Sequence, residues 1–376
     1  MPQDAARRLG RAMRSAGLDA LLCLSPENVA YTAGFVVPSQ PLMRWRHAAT
    51  VVGADGLRAM VCVDMEETTV RRARPGLDVR VWAEFGGSAM AALAGLLTDL
   101  GLAGGCLGIE LGYLPVRDHA ELLRLLPGVR LTAADGLLAR CRQVKTPGEI
   151  ELLTRLARIS DQAIRDACES VAAGSTEMDL AAALTRSVYA QGAQQFKLMI
   201  VATGERSELP NVNPSQRILR GGDVCRIEIF SVIDGYHAGV CRTAIVGDPP
   251  PQAGRIYQNL ADCKKILLDT IRPGVPASAV YQCFRAKFDE LGMSPIAFVG
   301  HGIGVDLHEA PYLKAGIPDR LEAGMVFGVE PLVYRTGHGF GMQIKDMVAV
   351  TGDGCQLLSD VTNTQEPLRI AAQEAR

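Results

Sequence analysis

The chain has 376 residues, and its 39 Lys and Arg nearly balance its 41 Asp and Glu, which leaves a formal net charge of −2. This balance, without a basic stripe, argues against a nucleic-acid-binding protein, and the short, interrupted apolar runs argue against a membrane-spanning one. The ten cysteines form no Cys-x-x-Cys pair, and the first 20 residues follow an amphipathic-helix pattern rather than that of a signal peptide. We therefore expect a cytoplasmic protein with reduced thiols, and neither nucleic acid nor a membrane as its partner.

Helical and strand patterns alternate over residues 1–144, which predicts an α/β domain. A helix is predicted over 5–16, followed by a short strand over 19–24. A hairpin is then predicted around Ala54-Asp55-Gly56, with strands over 48–53 and 57–64. A helix over 66–73 follows, and further strands, with helices between them, are predicted over 79–82, 106–111 and 129–133.

A basic and aromatic cluster stands just before the first hairpin strand and consists of Arg44, Trp45, Arg46 and His47. One interpretation is a solvated loop. The other is a contact with an anionic or aromatic group, because arginine pairs bidentately with carboxylates. The sequence leaves both interpretations open.

A second domain is predicted over 145–376. Thr146, Pro147 and Glu149 have the spacing of a helix N-cap, a first helical position and a capping box. Two helices are predicted to follow, then an apolar strand and a hairpin. The same order then repeats, with helices over 252–271 and 276–291 and further strands after them, the last of these over 342–350. Two successive helix–helix–strand units predict an internal repeat.

Four segments carry most of the chemistry-bearing residues of this domain: GGDVCRIEIFSVIDGYHAGVCRTAIVG (221–247), FVGHGIGVDLHEAP (298–311), GVEPLVY (328–334) and MQIKDMVAVT (342–351). In this order and spacing they resemble the creatinase, aminopeptidase P and methionine aminopeptidase family, which has the pita-bread fold. The resemblance covers about residues 18–358. It implies an N-terminal creatinase-type domain, a catalytic domain with its site between two pseudo-repeats, and a homodimer. In creatinase-like relatives the N-terminal domain reaches the partner's active site, and residues 44–46 are our candidates for that contact.

The resemblance also implies where the metal ligands of peptidase members would stand, namely at Glu228, Gly239, His301, Glu330 and Lys345. Two of these five positions have lost their ligand, and one of the two is a lysine. An ammonium about 4 Å from a divalent cation costs on the order of 8 kcal/mol at an effective dielectric constant of about 20. We therefore expect no metal cofactor. The alternative is one divalent metal on Glu228, His301 and Glu330.

Creatinase and the ectoine hydrolases keep this fold without the metal set, and they hydrolyse C–N bonds in small nitrogen-rich compounds. The resemblance thus favours a metal-independent hydrolase of an amidine, cyclic amide or urea-like compound. Its acid–base or nucleophilic group would be Glu228, His301, His308, Glu330 and Lys345. Its substrate contacts would be Arg44, Trp45, Arg46, Asn211 and His237, although Asn211 stands where creatinase has its histidine base. The alternatives are an Xaa-Pro aminopeptidase-like or dipeptidase-like metalloenzyme with a remodelled site, and a non-catalytic binding module.

Overall fold

A computed structural model describes residues 3–294 and 296–372, and the chain divides into two compact units, Met1–Arg142 and Gln143–Arg376. Residues 373–376 of the predicted second domain lie outside the described residues. Among the residues that are described, no helix is long and apolar enough to cross a membrane. The ten cysteines are free thiols, and seven of them are buried.

The first unit is a six-stranded mixed sheet with the strand order β4-β3-β2-β1-β5-β6. Its strands are β1 Ala20–Cys23, β2 Ala49–Gly53, β3 Gly56–Val63, β4 Asp78–Trp82, β5 Cys106–Ile109 and β6 Arg130–Ala133. Its helices are α1 Gln3–Ala16, α2 Pro26–Ala33, α3 Glu67–Ala73, α4 Ala89–Asp99, α5 Val116–Leu125 and α6 Asp135–Gln143. Helix α2 was not predicted from the sequence, although Ser25 is its N-cap and Pro26 is its first residue.

The second unit contains the expected repeat. Its first half consists of α7 Pro147–Ser170, α8 Glu177–Ala190, β7 Gln195–Thr203, β8 Val224–Ile233 and β9 Tyr236–Val246. Its second half consists of α9 Ala253–Thr270, α10 Ala277–Glu290, β10 Phe298–Gly302, β11 Glu309–Lys314, β12 Val326–Val329, β13 Leu332–Val333, β14 Met342–Gln343, β15 Asp346–Val350 and β16 Cys355–Leu357. A last strand, β17 Leu368–Ile370, returns to the first half. The mixed α/β class is therefore confirmed.

Helix α7 begins as the sequence predicts. The Thr146 side chain accepts a hydrogen bond from the Glu149 backbone N–H, and the Glu149 carboxylate accepts one from the Thr146 N–H. The other carboxylate oxygen of Glu149 accepts a hydrogen bond from the Tyr236 hydroxyl at 2.8 Å, which attaches the helix start to β9. The cap therefore fixes both the helix and its position on the sheet.

A backbone bridge connects two sheets in this unit. One has the order β17-β9-β8-β7, and the other has the order β11-β10-β12-β15-β16. Lys345 lies between β14 and β15, and its backbone exchanges two hydrogen bonds with Cys241 of β9, at 3.0 and 3.2 Å. The sequence predicted one continuous strand over this segment. The bridge interrupts it and holds the Lys345 side chain at the junction of the two sheets.

A buried ion-pair network supports the junction. The Arg242 guanidinium contacts Asp161 and Asp346 at 2.9 and 2.8 Å, and it also donates to the Lys345 carbonyl. The Lys264 ammonium also contacts Asp346. Since charges this deeply buried are retained only when they are paired, the network fixes the segment that carries Lys345.

Candidate active site

The β8–β9 ladder decides which side chains share the face of the sheet. It runs without a register shift, and it pairs Glu228 with Cys241, Phe230 with Gly239 and Val232 with His237. Paired residues of an antiparallel ladder point to the same side, and side chains alternate along each strand. Glu228, Phe230, His237 and Gly239 therefore lie on one face, which the sequence alone could not establish.

The Lys345 ammonium is the centre of this face. Its Nζ lies 3.2 Å from Glu228 Oε1, 3.1 Å from Glu330 Oε2 and 3.2 Å from His301 Nε2. An ammonium has three N–H donors, so these three acceptors use all of them. The side chain is 2 % exposed. The structure thus brings together four of the five predicted catalytic residues.

The imidazole of His301 has a defined tautomer. Its Nδ1 lies 2.9 Å from the Gly302 carbonyl oxygen, which can only accept, so Nδ1 carries the proton. Nε2 is then the acceptor of the Lys345 hydrogen bond. Gly328 faces His301 across the β10–β12 ladder, and a Cβ there would lie 3.1 Å from Lys345 Cε. A glycine at this position makes room for the lysine.

The Phe230 ring occupies the place beside Gly239. A Cβ built on Gly239 would lie 2.2 to 2.5 Å from three atoms of that ring, far inside van der Waals contact. The same ring faces the Lys345 ammonium, whose Nζ lies 4.5 Å from the ring centroid in cation–π geometry. Phe230 therefore fills the volume that a carboxylate side chain at position 239 would need. Sequence reasoning missed this residue, although Phe230 is two positions after Glu228 on the same strand.

The electrostatics of the cluster follow mainly from burial and from the Lys345 ammonium. Burial lowers the pKa of Lys345, but the Glu330 and Glu228 carboxylates outweigh burial and raise it overall. Burial raises the pKa of Glu330, against the lowering by the Lys345 ammonium. Burial and then the Lys345 charge lower the pKa of His301 well below its usual value. Lys345 is therefore charged and His301 is neutral at pH 7.

His308 forms the accessible edge of the cluster. Its ring stacks on that of His301 with centroids 3.6 Å apart and an interplanar angle of 12°. The Tyr312 hydroxyl lies 3.4 Å from His308 Nδ1, and Phe298 packs edge-on against both rings. Desolvation and then the Lys345 charge lower the pKa of His308 to about 4. The ring is thus neutral at pH 7 and open to solvent on one side.

Three of the expected substrate contacts lie in the first unit. Arg44 is exposed, and Trp45 is 61 % exposed with its Nε1 3.2 Å from Glu84. Arg46 binds Glu84 through two hydrogen bonds of 2.8 and 2.9 Å. The Arg46 guanidinium therefore already binds a carboxylate of its own unit. The interpretation of this cluster as a solvated loop did not predict that ion pair.

The other two expected contacts lie in the second unit, outside the cluster. Asn211 is exposed in the loop after β7. His237 is buried, and its backbone N–H donates to the Gly304 carbonyl at 2.7 Å. Burial lowers the pKa of the His237 ring to about 4. Its partner is therefore the turn that precedes His308, and not the carboxylates.

Family models match nearly the whole chain. A model described as metallopeptidase family M24 matches residues 151–352, and a creatinase/prolidase N-terminal domain matches residues 6–144. A protein named "Probable dipeptidase PepE" from Mycobacterium tuberculosis is 31% identical over 363 residues, which cover 93% of this chain and 92% of that protein. The "Xaa-Pro dipeptidase" of Pyrococcus furiosus is 29% identical over 258 residues, which cover 67% of this chain and 73% of that protein.

Solved structures show the same fold. Dipeptidase PepE from Mycobacterium ulcerans matches with a TM-score of 0.81 at 26% identity and covers 98% of this chain and 97% of that one. The prolidase from Thermococcus sibiricus matches with a TM-score of 0.85 at 24% identity, over 98% and 100% of the two chains. The expected combination of a creatinase-type N-terminal domain and a pita-bread domain is confirmed.

The comparisons correct two expectations. They favour the peptidase alternative over a metal-independent hydrolase of amidines, cyclic amides or ureas. The expectation that the chain needs no cofactor is contradicted by the match to a family of metallopeptidases. The metal-free chemistry of creatinase and the ectoine hydrolases is not supported.

The donor groups can be compared with the metal centre that this family implies. Lys345 Nζ lies within 3.2 Å of an atom of each of Glu228, His301 and Glu330, and Phe230 fills the space beside Gly239. Across residues 3–294 and 296–372, no three His, Cys, Asp or Glu side chains are grouped so that they could hold a metal ion. In this arrangement the described residues do not fit the metal centre of the family.

Proposed function

The chain belongs to metallopeptidase family M24 and is a hydrolase of that family, and from this premise we propose that it cleaves the C–N bond of a dipeptide-sized amide. Relatives named dipeptidase PepE and Xaa-Pro dipeptidase support a small peptide as the substrate class. The finer assignment to Xaa-Pro peptides is part of the same proposal.

One observation carries the proposal. Glu228, His301 and Glu330 converge on Lys345 at the junction of the two sheets, and the accessible ring of His308 stacks on His301 beside them. A charged, buried group next to an accessible neutral imidazole is the kind of arrangement that proton transfer to and from a small substrate requires.

We assign the proton transfer to His308. Its neutral ring can accept a proton from a water molecule that attacks the amide carbon, and it can return that proton to the leaving amine as the C–N bond breaks. The products are a carboxylic acid and an amine. Desolvation and then the Lys345 charge lower the pKa of His308 to about 4, and a base this weak is expected to give slow turnover at neutral pH.

The buried carboxylates and Lys345 have a different role in this proposal. The Lys345 ammonium offsets one of the two carboxylate charges, and its three contacts keep it in one place. A fixed cation beside the reacting carbonyl stabilises the negative charge that develops on its oxygen, at the cost of weakening one of those contacts.

The experiment is a substrate panel. Xaa-Pro and other dipeptides, small cyclic amides, amidines and ureas are incubated with the protein, with and without added Mn²⁺, Co²⁺ or Zn²⁺, and the released amine is measured. We expect dipeptide hydrolysis that falls by about 10²–10⁴-fold in His308→Ala, the range for loss of a general base. His338→Ala, an exposed histidine of the same unit, is the matched control and keeps full activity.

Two results would refute the proposal. One is turnover of cyclic amides, amidines or ureas without turnover of any dipeptide. The other is dipeptide turnover that is equal in the wild-type protein, His308→Ala and Glu330→Gln. A homodimer, and a contribution of residues 44–46 to a partner's site, remain predictions that size measurements and mixed-variant complementation can test.

A further inference from the structure

We infer that Arg226 is a positioning residue, which connects the loop over 204–213 to the Glu330 carboxylate through Gln343. This inference rests on the proposed function where it concerns turnover. It concerns an arginine that belongs to neither the predicted catalytic group nor the predicted substrate contacts.

One side of the connection is the loop. Arg226 Nη2 donates to the carbonyl oxygens of Leu209 and Pro210, the latter at 2.7 Å. These two residues directly precede Asn211, the exposed residue that the sequence singles out as a substrate contact. The loop is also attached at Ser207, whose hydroxyl accepts a hydrogen bond from the Gly341 N–H at 2.9 Å. Arg226 therefore holds the part of the loop that the Ser207 contact does not reach.

The other side of the connection is the cluster. Arg226 Nη1 donates to Gln343 Oε1 at 3.1 Å, and Gln343 Nε2 donates to Glu330 Oε2 at 3.3 Å. The same Glu330 oxygen accepts the Lys345 hydrogen bond. The backbone of Gln343 is fixed as well, because Thr243 Oγ1 bonds both its N–H and its carbonyl.

Burial makes the connection rigid. Arg226 is 1 % exposed and its guanidinium lies 5.2 Å from the Tyr334 ring centroid, so the side chain is packed on its face as well as hydrogen-bonded at its edge. A buried guanidinium that donates to three carbonyl-type oxygens is held in one orientation, and it fixes the positions of the groups that accept its hydrogen bonds. The loop and Glu330 are therefore held by the same side chain.

Three single variants separate the two sides of the connection. Arg226→Met removes both the hydrogen bonds to the loop and the link to Glu330. Gln343→Leu removes the link to Glu330 and leaves the carbonyl contacts of Arg226. Arg206→Met is the matched control, because Arg206 also holds the loop, with its Nη2 2.7 Å from the Asn213 carbonyl, but contacts neither Gln343 nor Glu330.

The first measurement is hydrogen exchange, followed by mass spectrometry of peptides that cover 204–216. Exchange is expected to rise about tenfold in Arg226→Met, as for the loss of a hydrogen bond to a charged group, and also in Arg206→Met. Gln343→Leu is expected to exchange like the wild-type protein, and Arg226→Lys is expected to restore part of the protection.

The second measurement is the change in kcat against the change in KM for the dipeptide substrate. Gln343→Leu is expected to lower kcat with little change in KM, Arg206→Met to raise KM with little change in kcat, and Arg226→Met to do both. An arginine that only stabilised the fold would not give this separation, in which loss of the link to Glu330 lowers kcat and loss of the loop contact raises KM.

Exchange at the wild-type rate in Arg226→Met overturns the inference, whether or not the protein turns over any substrate. A lack of turnover on every substrate, together with raised loop exchange in Arg226→Met, would instead refute the proposed function and leave the loop connection supported. Equal kcat in wild type and Gln343→Leu would overturn the link to Glu330.

Discussion

Replacing Lys345 with methionine tests the ion pairs of the site most directly. The substitution keeps an unbranched side chain of similar length and removes the ammonium. Glu228 and Glu330 are then two buried carboxylates without a cation between them, and His301 Nε2 loses its donor. The expected result is a marked loss of stability in the second unit.

The structure gives the size of the effect. Opposite unit charges 3.1 to 3.2 Å apart attract by about 5 kcal/mol at an effective dielectric constant of about 20. Desolvation offsets much of this, and breaking a buried pair by removing one partner costs about 3–5 kcal/mol. Glu330 already has a raised pKa, and without the ammonium its pKa rises further. When the pKa of a carboxyl group is higher in the folded state than in the unfolded state, the free energy of unfolding falls as the pH rises above the unfolded-state pKa. The loss of stability in Lys345→Met is therefore larger at pH 8 than at pH 5.

The assay must report the unfolding of the second unit, which contains Lys345. Both tryptophans of the chain, Trp45 and Trp82, lie in the first unit, so tryptophan fluorescence during urea unfolding serves as an internal control. Far-UV circular dichroism and hydrogen exchange in β8, β9 and β12 report the second unit. Lys287→Met is the matched variant, because its partner Glu290 is exposed, and a surface pair contributes about 0–1 kcal/mol.

A second substitution sharpens the result. Glu330→Gln added to Lys345→Met removes one of the two unpaired charges, and we expect it to restore part of the stability. If Lys345→Met loses less than about 1 kcal/mol at pH 8 and shows no dependence on pH, then Lys345 does not pair with these carboxylates, and the description of the site is wrong.

Three further predictions concern the same cluster. Gly239→Asp is expected to destabilise the protein by about 1–3 kcal/mol through overpacking against the Phe230 ring, and Phe230→Ala is expected to relieve part of that cost, which a thermal-unfolding double-mutant cycle would detect. Because the pKa of His308 is lowered to about 4, the acidic limb of the kcat/KM profile should lie well below the usual histidine value of about 6.5; a limb near 6.5 would contradict the assigned role. Lys345→Glu should bind Mn²⁺ or Zn²⁺ more tightly than the wild-type protein in equilibrium dialysis, because it replaces an ammonium with a ligand among two carboxylates and His301; equal metal content would show that Phe230 or the backbone, and not the lysine charge, limits binding.

The parts of the site that the sequence predicted are those set by local motifs. His301, Glu330 and Lys345 stand in short segments of recognisable spacing, and the structure brings them together with Glu228. In the structure Lys345 pairs with both carboxylates. Local motifs, however, carry no information on which atoms meet.

The parts that the sequence could not predict depend on strand register and on long-range contacts. Phe230 faces Gly239 only because the ladder has no bulge, and Gln343 reaches Glu330 because β14 pairs with β13, where Gln343 faces Leu332, two residues after Glu330. The bond from Arg46 to Glu84 joins residues 38 positions apart. The prediction that the chain needs no metal cofactor was drawn from the residue types at the five ligand positions. The match to a metallopeptidase family contradicts it, so that prediction was wrong.

Strand β17 has a practical consequence for anyone who shortens this protein. Leu368, Arg369 and Ile370 pair in parallel with β9, and the Gly247 N–H donates to the Ile370 carbonyl. Removing residues 368–370 would leave the outer edge of β9 open, with unpaired N–H and C=O groups along an apolar strand. Open edges of this kind recruit a second chain. Shortened versions should therefore keep Ile370, and insolubility after trimming would point to this edge and not to a damaged catalytic cluster.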